Sequence, residues 1–359
     1  MIFFDELKNE ANKSLEFIIK NFSLTSLPYD NEYSDFLNDN LGRVRECYIK
    51  FINVLINDYN DFSCFSHFIN ISNLSEALGI FINKDINLKK YVHVKPNLNF
   101  ITEIRLIDIN INDITLFCEA NLINLKVLNL RKNKISNIES IIYAEFKNIK
   151  ILDLSLNKLG DDNIKIIVQF KFKNLEILNI FGNNFSDYKI FGICNNKKFK
   201  NLKILFAGSN NFKNNKINKS IDTSNLEEIG LTTGVFNDKS IHFIHFFSFN
   251  NLLILYLNSN NLSSLSFIDN LDLPNIQEIW VNNNKLKDFY SLCKYKTLKL
   301  INIKRNLIEN IDNLIPFIYK LKGLKKIDMT YNNIDFNDNK NKNIISEAQK
   351  RLGEKNFIF

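Results

Sequence analysis

His242 and His245 stand three residues apart in the run Ile241-His242-Phe243-Ile244-His245-Phe246-Phe247, a spacing at which two imidazoles on one helical turn can share a metal ion. No third ligand lies nearby and the neighbours are apolar, so the pair reads as convex-side packing. Cys47, Cys64, Cys118, Cys194 and Cys293 are odd in number and lack CxxC spacing. They read as reduced thiols of a cytoplasmic protein, neither a disulfide framework nor a zinc site. The sequence has no Gly-rich phosphate loop, no GxSxG and no HExxH. Asp108, Asp153 and Asp328 are read as outward strand residues, in segments too far apart to cooperate as acid and base. Catalysis, a metal and a cofactor are therefore not expected.

The elements that would position these residues form a repeat. Leu125 to Ile135 fits LxxLxLxxNxL, with Leu128, Leu130 and Asn133 in place. The pattern recurs as Ile149 to Leu159, Leu175 to Phe185, Leu202 to Phe212, Leu252 to Leu262, Ile276 to Leu286, Leu298 to Ile308 and Leu324 to Ile334. In the copy Leu226 to Phe236, Gly234 replaces the asparagine, and a degenerate first copy, Ile101 to Ile111, has Ile109 there. About ten copies follow one another at steps of roughly 22 to 27 residues, a period that marks a stacked array. The first, fourth, sixth and last apolar residues of each copy must point inward, because one copy alone cannot bury them. The asparagine amide can bond the backbone of the tight turn that leaves each strand.

These copies resemble the leucine-rich-repeat proteins over about 101–334, roughly two thirds of the chain. The resemblance implies an α/β solenoid, a leucine-rich-repeat horseshoe of about ten repeats with a parallel sheet on its concave face. Apolar residues every third position, as in Leu262-x-x-Leu265-x-x-Ile268-x-x-Leu271 and Ile308-x-x-Ile311-x-x-Leu314, suit 3₁₀ turns on the convex side. The copy carrying Gly160-Asp161-Asp162-Asn163 looks more helical, so the array is mixed.

Three regions are expected: a helical N-terminal cap region over 1–84, the solenoid over 85–336 and a short C-terminal cap over 337–359. In the first, Leu7, Ala11, Leu15, Ile18 and Phe22 recur at helical spacing, as do Leu37, Leu41, Val44, Tyr48, Phe51 and Leu55. In the last, Ile344, Ile345, Ala348 and Leu352 share a helical face ahead of a short terminal strand. The start of the chain shows no secretory signal, and no apolar run reaches the roughly 18 residues of a membrane span. A soluble, cytoplasmic monomer is expected, with a nuclear location also compatible. Net charge is +7, and about 60 asparagines beside many Lys, Ile and Phe residues carry the imprint of an AT-rich genome.

With chemistry absent, the concave surface becomes the functional candidate. The residue between the fourth and sixth apolar sites of successive copies is Arg105, Asn129, Asp153, Asn179, Phe206, Gly230, Tyr256, Trp280, Asn302 and Asp328. Phe181, Phe206, Tyr256 and Trp280, the only tryptophan, group as outward aromatics on a rigid sheet, as at protein interfaces. Arg131, Lys132, Lys304, Arg305, Lys326, Glu278 and Asp328 are expected to form a polar rim. Ala207, Gly208, Gly230 and Gly234, with the Lys213–Lys219 stretch, predict a local kink or looser stack beside the aromatics. Lys171, Lys173, Lys197, Lys198, Lys200 and Lys203 form a basic edge.

The expected partner is a folded protein on the concave face, with nucleic acid or a ribonucleoprotein on the basic edge as the alternative. The segment Ile276-Gln277-Glu278-Ile279-Trp280 is similar to a late repeat of the leucine-rich-repeat regulator of protein phosphatase 1. In that family a Glu and a Trp two apart face the phosphatase, a role that falls here to Glu278 and Trp280. The step lengths depart from that family's regular 22. Tubulin-folding cofactor E and the Ran GTPase activator use similar arrays, but their accessory domains and acidic tail are not seen here.

Overall fold

The computed structural model of the chain describes residues 102–108, 110–115, 118, 122–195, 199–212, 220–234 and 236–359. The expected helical cap over 1–84, Lys197, Lys198 and the Lys213–Lys219 stretch lie outside these residues.

Each copy of the motif contributes one very short strand. These are β1 (Glu103–Arg105), β2 (Val127–Asn129), β3 (Ile151–Asp153), β4 (Ile177–Asn179) and β5 (Ile204–Phe206). They continue as β6 (Glu228–Gly230), β7 (Ile254–Tyr256), β8 (Glu278–Trp280), β9 (Leu300–Asn302) and β10 (Lys326–Asp328), and β11 (Phe357–Ile358) closes the series. All eleven join one sheet in sequence order. Every pairing is parallel, and equivalent motif positions face one another, as in Leu128 against Leu152 and Leu152 against Leu178. A three-residue strand has no stability of its own, so each exists because its neighbours supply hydrogen bonds on both edges and apolar surface beneath. The middle residue of each strand, from Ile104 to Ile327, is at most 1% exposed.

The turn after each strand is the same. The eighth residue of every copy takes a left-handed conformation, with φ between 50° for Ser209 and 72° for Thr233, and only Gly182 among these residues is glycine. Such φ values are uncommon for other residue types, and here the stack imposes them. Asp108 belongs to this set rather than to a strand: it lies past β1 with φ 59° and pairs with Lys132 Nζ at 2.6 Å. The first copy is in register with the second, and its outward strand residue is Arg105.

The asparagine that follows is the fastening. Asn157 Nδ2 donates to Leu130 O and to Leu154 O, both at 2.9 Å, and its Oδ1 accepts from Ile135 N at 3.1 Å. Asn133, Asn183, Asn210, Asn260, Asn284, Asn306 and Asn332 repeat this pattern, each donating to a carbonyl of its own copy and one of the copy before. Backbone groups at these turns are buried and would be orphaned without the amide. Gly234 is the one gap among the copies from the second onward.

On the convex side the chain returns through 3₁₀ turns at Glu139–Tyr143, Tyr188–Asn195, Ser240–Phe246, Ser266–Asn270 and Tyr290–Lys294. The helical character expected near Gly160 appears as a 3₁₀ turn followed by α1 (Ile164–Ile167). Ile308 to Leu314 does not form a 3₁₀ turn. It leads through a tight turn into α2 (Leu314–Lys320), whose Pro316 sits in the first turn, where no intrahelical donor is lost. The C-terminal cap has α3 (Asn339–Leu352), which starts on the Asp338 side chain and buries Ile345, Ala348 and Leu352. Beyond Gly353, β11 pairs with β10.

The expected kink or loosening around Ala207 is not found. The ladder runs in register from β5 through β7, with Ala207 N donating to Gly230 O at 2.9 Å and Leu231 N to Tyr256 O at 2.9 Å. The convex side of these copies is packed with rings: Tyr188 lies 4.5 Å from Phe243 and 5.3 Å from Phe212, and Phe212 stacks on Phe236 at 6.0 Å.

Candidate functional site

The concave face is built from the first and third residues of each strand and the residue two beyond, since side chains alternate along a strand. Where the third strand residue is Asn or Asp, it serves the turn. Oδ1 of Asn129, Asp153, Asn179, Asn302 and Asp328 accepts the backbone N–H two residues on, at 2.9 to 3.2 Å. The two aspartates examined for catalysis, Asp153 and Asp328, are thus committed to local structure. In β5 to β8 this residue is Phe206, Gly230, Tyr256 and Trp280, none of which can make that short bond. Four successive copies forgo a turn-stabilising interaction in favour of aromatic rings or space for them.

The rings use that space. Phe206 and Tyr256 are two strands apart, yet their centroids lie 6.2 Å from each other. Phe206 leans over Gly230, where an added Cβ would stand 2.5 Å from Phe206 Cδ1. Tyr256 and Trp280 follow at 6.0 Å, so the three half-buried rings make one continuous run across β5 to β8. Trp280 Nε1 donates to Glu278 Oε2 at 3.0 Å, which fixes the indole against its own strand.

A second carboxylate lies in this row, and the motif analysis passed over it. Glu228 is the first residue of β6, as Glu278 is of β8, with Ile254 of β7 between them. Its carboxyl is raised from the usual glutamate value, first by burial and then by the carboxylates of Glu278 and Glu227. Burial raises the Tyr256 phenol too, with further contributions from Glu228 and Glu278. Among the described residues, no Lys or Arg pairs with either glutamate. The signal was present in the sequence: the third motif position is apolar in six of the ten copies, Glu in these two and at Glu103, and Lys at Lys326.

Other expected residues are placed differently. Phe181 lies past β4 and has no ring contact with the aromatic run among the described residues, so it stands apart from that group. Arg131, beyond β2, is three strands from Phe206, the nearest ring of the run, roughly 14 Å at about 4.8 Å per strand, and does not adjoin the aromatics. Lys304 and Arg305 flank the run from β9, and both lie over the Tyr331 ring, at 5.0 and 5.3 Å. On the basic edge, Lys171, Lys173 and Lys200 are exposed. Lys203 is not free basic charge: its Nζ is 2.8 Å from Glu227, as Lys150 is 2.7 Å from Glu176. These Lys–Glu pairs join neighbouring copies, so part of the edge is internally neutralised.

Little else has reactive chemistry. His242 and His245 pack ring to ring at 5.0 Å, and His245 Nε2 meets Phe267 O at 2.7 Å. No group of three His, Cys, Asp or Glu among the described residues could hold a metal. The Cys194 thiol is pushed up to about 12, chiefly by burial and then by Asp222, which leaves it protonated and a poor nucleophile. No helix among the described residues is long and apolar enough to cross a membrane.

No protein-family model and no curated protein matches the chain. Among solved structures, it is similar to an internalin (inlF) of Listeria monocytogenes, 17% identical, covering 75% of this chain and 84% of that one with a TM-score of 0.43. Internalin C2 of the same organism is 19% identical, with 65% and 82% covered and a TM-score of 0.41. A leucine-rich-repeat protein of Leptospira interrogans is 19% identical, with 76% and 74% covered and a TM-score of 0.39. The recurring LxxLxLxxNxL motif, the in-register parallel sheet and the asparagine ladder together give this chain the fold of a leucine-rich-repeat solenoid.

Proposed function

We propose that this chain is a non-enzymatic scaffold that grips a folded partner protein on its concave face, with Phe206, Tyr256 and Trp280 as the anchors. The observation that carries this reading is the exchange of the turn-capping Asn or Asp for a contiguous, half-exposed run of rings in β5 to β8. Tyr and Trp on a rigid support give large contact area with little entropy lost on binding, the property of interface hot spots. Lys304 and Arg305 on one side, with Asn302 and Asp328, would supply a polar rim. Regulation of a protein phosphatase is the second reading, favoured by the fixed Glu278–Trp280 pair. A ribonucleoprotein partner on Lys171, Lys173 and Lys200 is weaker, because neighbouring lysines are already paired with Glu176 and Glu227.

The test is quantitative capture from cells of the source organism with the wild-type chain and with Tyr256→Ala/Trp280→Ala, followed by binding of the purified partner. Truncating two hot-spot aromatics should weaken binding by at least about 30-fold, from about 2 kcal/mol or more. A partner retained at full affinity by the double variant, and lost instead on neutralising Lys171, Lys173 and Lys200, would transfer the site to the edge.

A further inference from the structure

We infer that the aromatic row recognises an arginine side chain of the partner, held flat against Tyr256 and Trp280 and between the carboxylates of Glu228 and Glu278. This rests on the concave-face reading and gives it a chemistry.

The charge pattern is the first support. The chain has 46 Lys and Arg residues and a net charge of +7. Yet across β5 to β8 the outward positions, three on each strand line, include two glutamates and not one lysine or arginine. Elsewhere on the solenoid, some outward carboxylates find cations: Glu103 with Arg105, Asp108 with Lys132, Glu176 with Lys150 and Glu227 with Lys203. Glu228 sits one residue from Glu227, on the other side of the same backbone, and has no such partner. Two like charges two strands apart, about 9.6 Å by strand spacing, raise each other's energy without a cation between them.

The second support is the kind of surface that joins the two charges. Ile254 and the Tyr256 ring lie on the strand between the glutamates, and the Trp280 indole is held by Glu278 itself. A carboxylate beside an aromatic face favours a cation that is both flat and a multiple donor. Guanidinium is planar, less strongly hydrated than ammonium, stacks on rings and donates in a fork to carboxylates. An acidic ligand would add a third negative charge beside the two glutamates.

Trp280, the only tryptophan, reports directly on the site. The full-length chain would be titrated with N-acetyl-argininamide and with its neutral isostere N-acetyl-citrullinamide, at matched ionic strength, following tryptophan fluorescence. Saturable change with the arginine compound, at least tenfold weaker with the citrulline compound, is expected. Glu228→Gln and Glu278→Gln should each weaken the arginine compound by about fivefold or more, with urea midpoints confirming that both variants fold. Equal response to the two compounds, or glutamine variants that titrate as wild type, overturns the assignment. The captured partner separates this idea from the one beneath it. If Tyr256→Ala/Trp280→Ala loses the partner while Glu228→Gln/Glu278→Gln binds it unchanged, the concave scaffold stands and arginine recognition is wrong. If the aromatic variant also binds normally, both fall.

Discussion

Asn306→Ala removes one rung of the asparagine ladder and tests whether those rungs hold the stack together. Its Nδ2 donates to Val281 O at 3.0 Å and Ile303 O at 2.9 Å, and its Oδ1 accepts from Leu286 N at 3.0 Å. Val281 O keeps a second donor, Asn284 Nδ2 at 3.0 Å, and Ile303 O keeps Asn332 Nδ2 at 3.0 Å, so the substitution orphans one buried backbone group, Leu286 N. A buried donor left without a partner costs about 1–3 kcal/mol, and with Asn306 only 3% exposed little water can replace the amide, so the loss should be about 2–3 kcal/mol. Asn302→Ala is the control: it deletes one exposed-side bond to Lys304 N at 3.2 Å and should cost about 1 kcal/mol or less. Urea unfolding of the full chain followed by Trp280 fluorescence suits the comparison, because Trp280 adjoins Val281. With a slope of about 2–3 kcal/mol/M, the Asn306→Ala midpoint should fall by about 0.7–1.5 M. If the two variants lose stability equally, the ladder is not what satisfies these turns and the reasoning fails.

Four further outcomes follow from the same geometry. Gly208→Ala should destabilise by about 1–3 kcal/mol, since its Cβ would stand 2.4 Å from the Thr232 carbonyl oxygen and backbone cannot yield. Gly230→Ala meets only the Phe206 ring and should stay within about 1 kcal/mol in urea unfolding, while displacing the ring and weakening partner binding measured by calorimetry. Glu228→Gln should raise the Tm at pH 7, by no more than about 3 °C for a half-exposed charge. The sign follows from the raised carboxyl: its contribution favours folding below the ordinary value of 4.5 and is lost as pH rises through the higher folded value. The Tm difference between wild type and variant should therefore shrink at pH 4, and an equal gap at both pH values would refute it. Truncation after Leu352 removes the bonds of Ile327 N to Asn356 O and Met329 N to Ile358 O and bares the β10 edge. Loss of stability with self-association in light scattering is expected, and a stable monomer would show that β11 is dispensable.

The repeat is a local code, and the sequence alone was enough to read it. Position within LxxLxLxxNxL decides which residues of a copy face the core, because a strand alternates its side chains and an asparagine can reach its own turn. Leu128, Asn133 and Trp280 were each legible on that basis, as was the helix of the C-terminal cap from the spacing of Ile345, Ala348 and Leu352. Relations between copies were decided only by the tertiary structure. Phe206 reaches Tyr256 because Gly230 lies between them, whereas Phe181, equally outward in the motif, stays apart. Glu227 is neutralised by Lys203 while Glu228, its neighbour in sequence, is left with Glu278 for company. Ring contacts and charge pairing depend on distances across the stack and on which side chains occupy the adjoining copies, and no single period of the sequence contains that information.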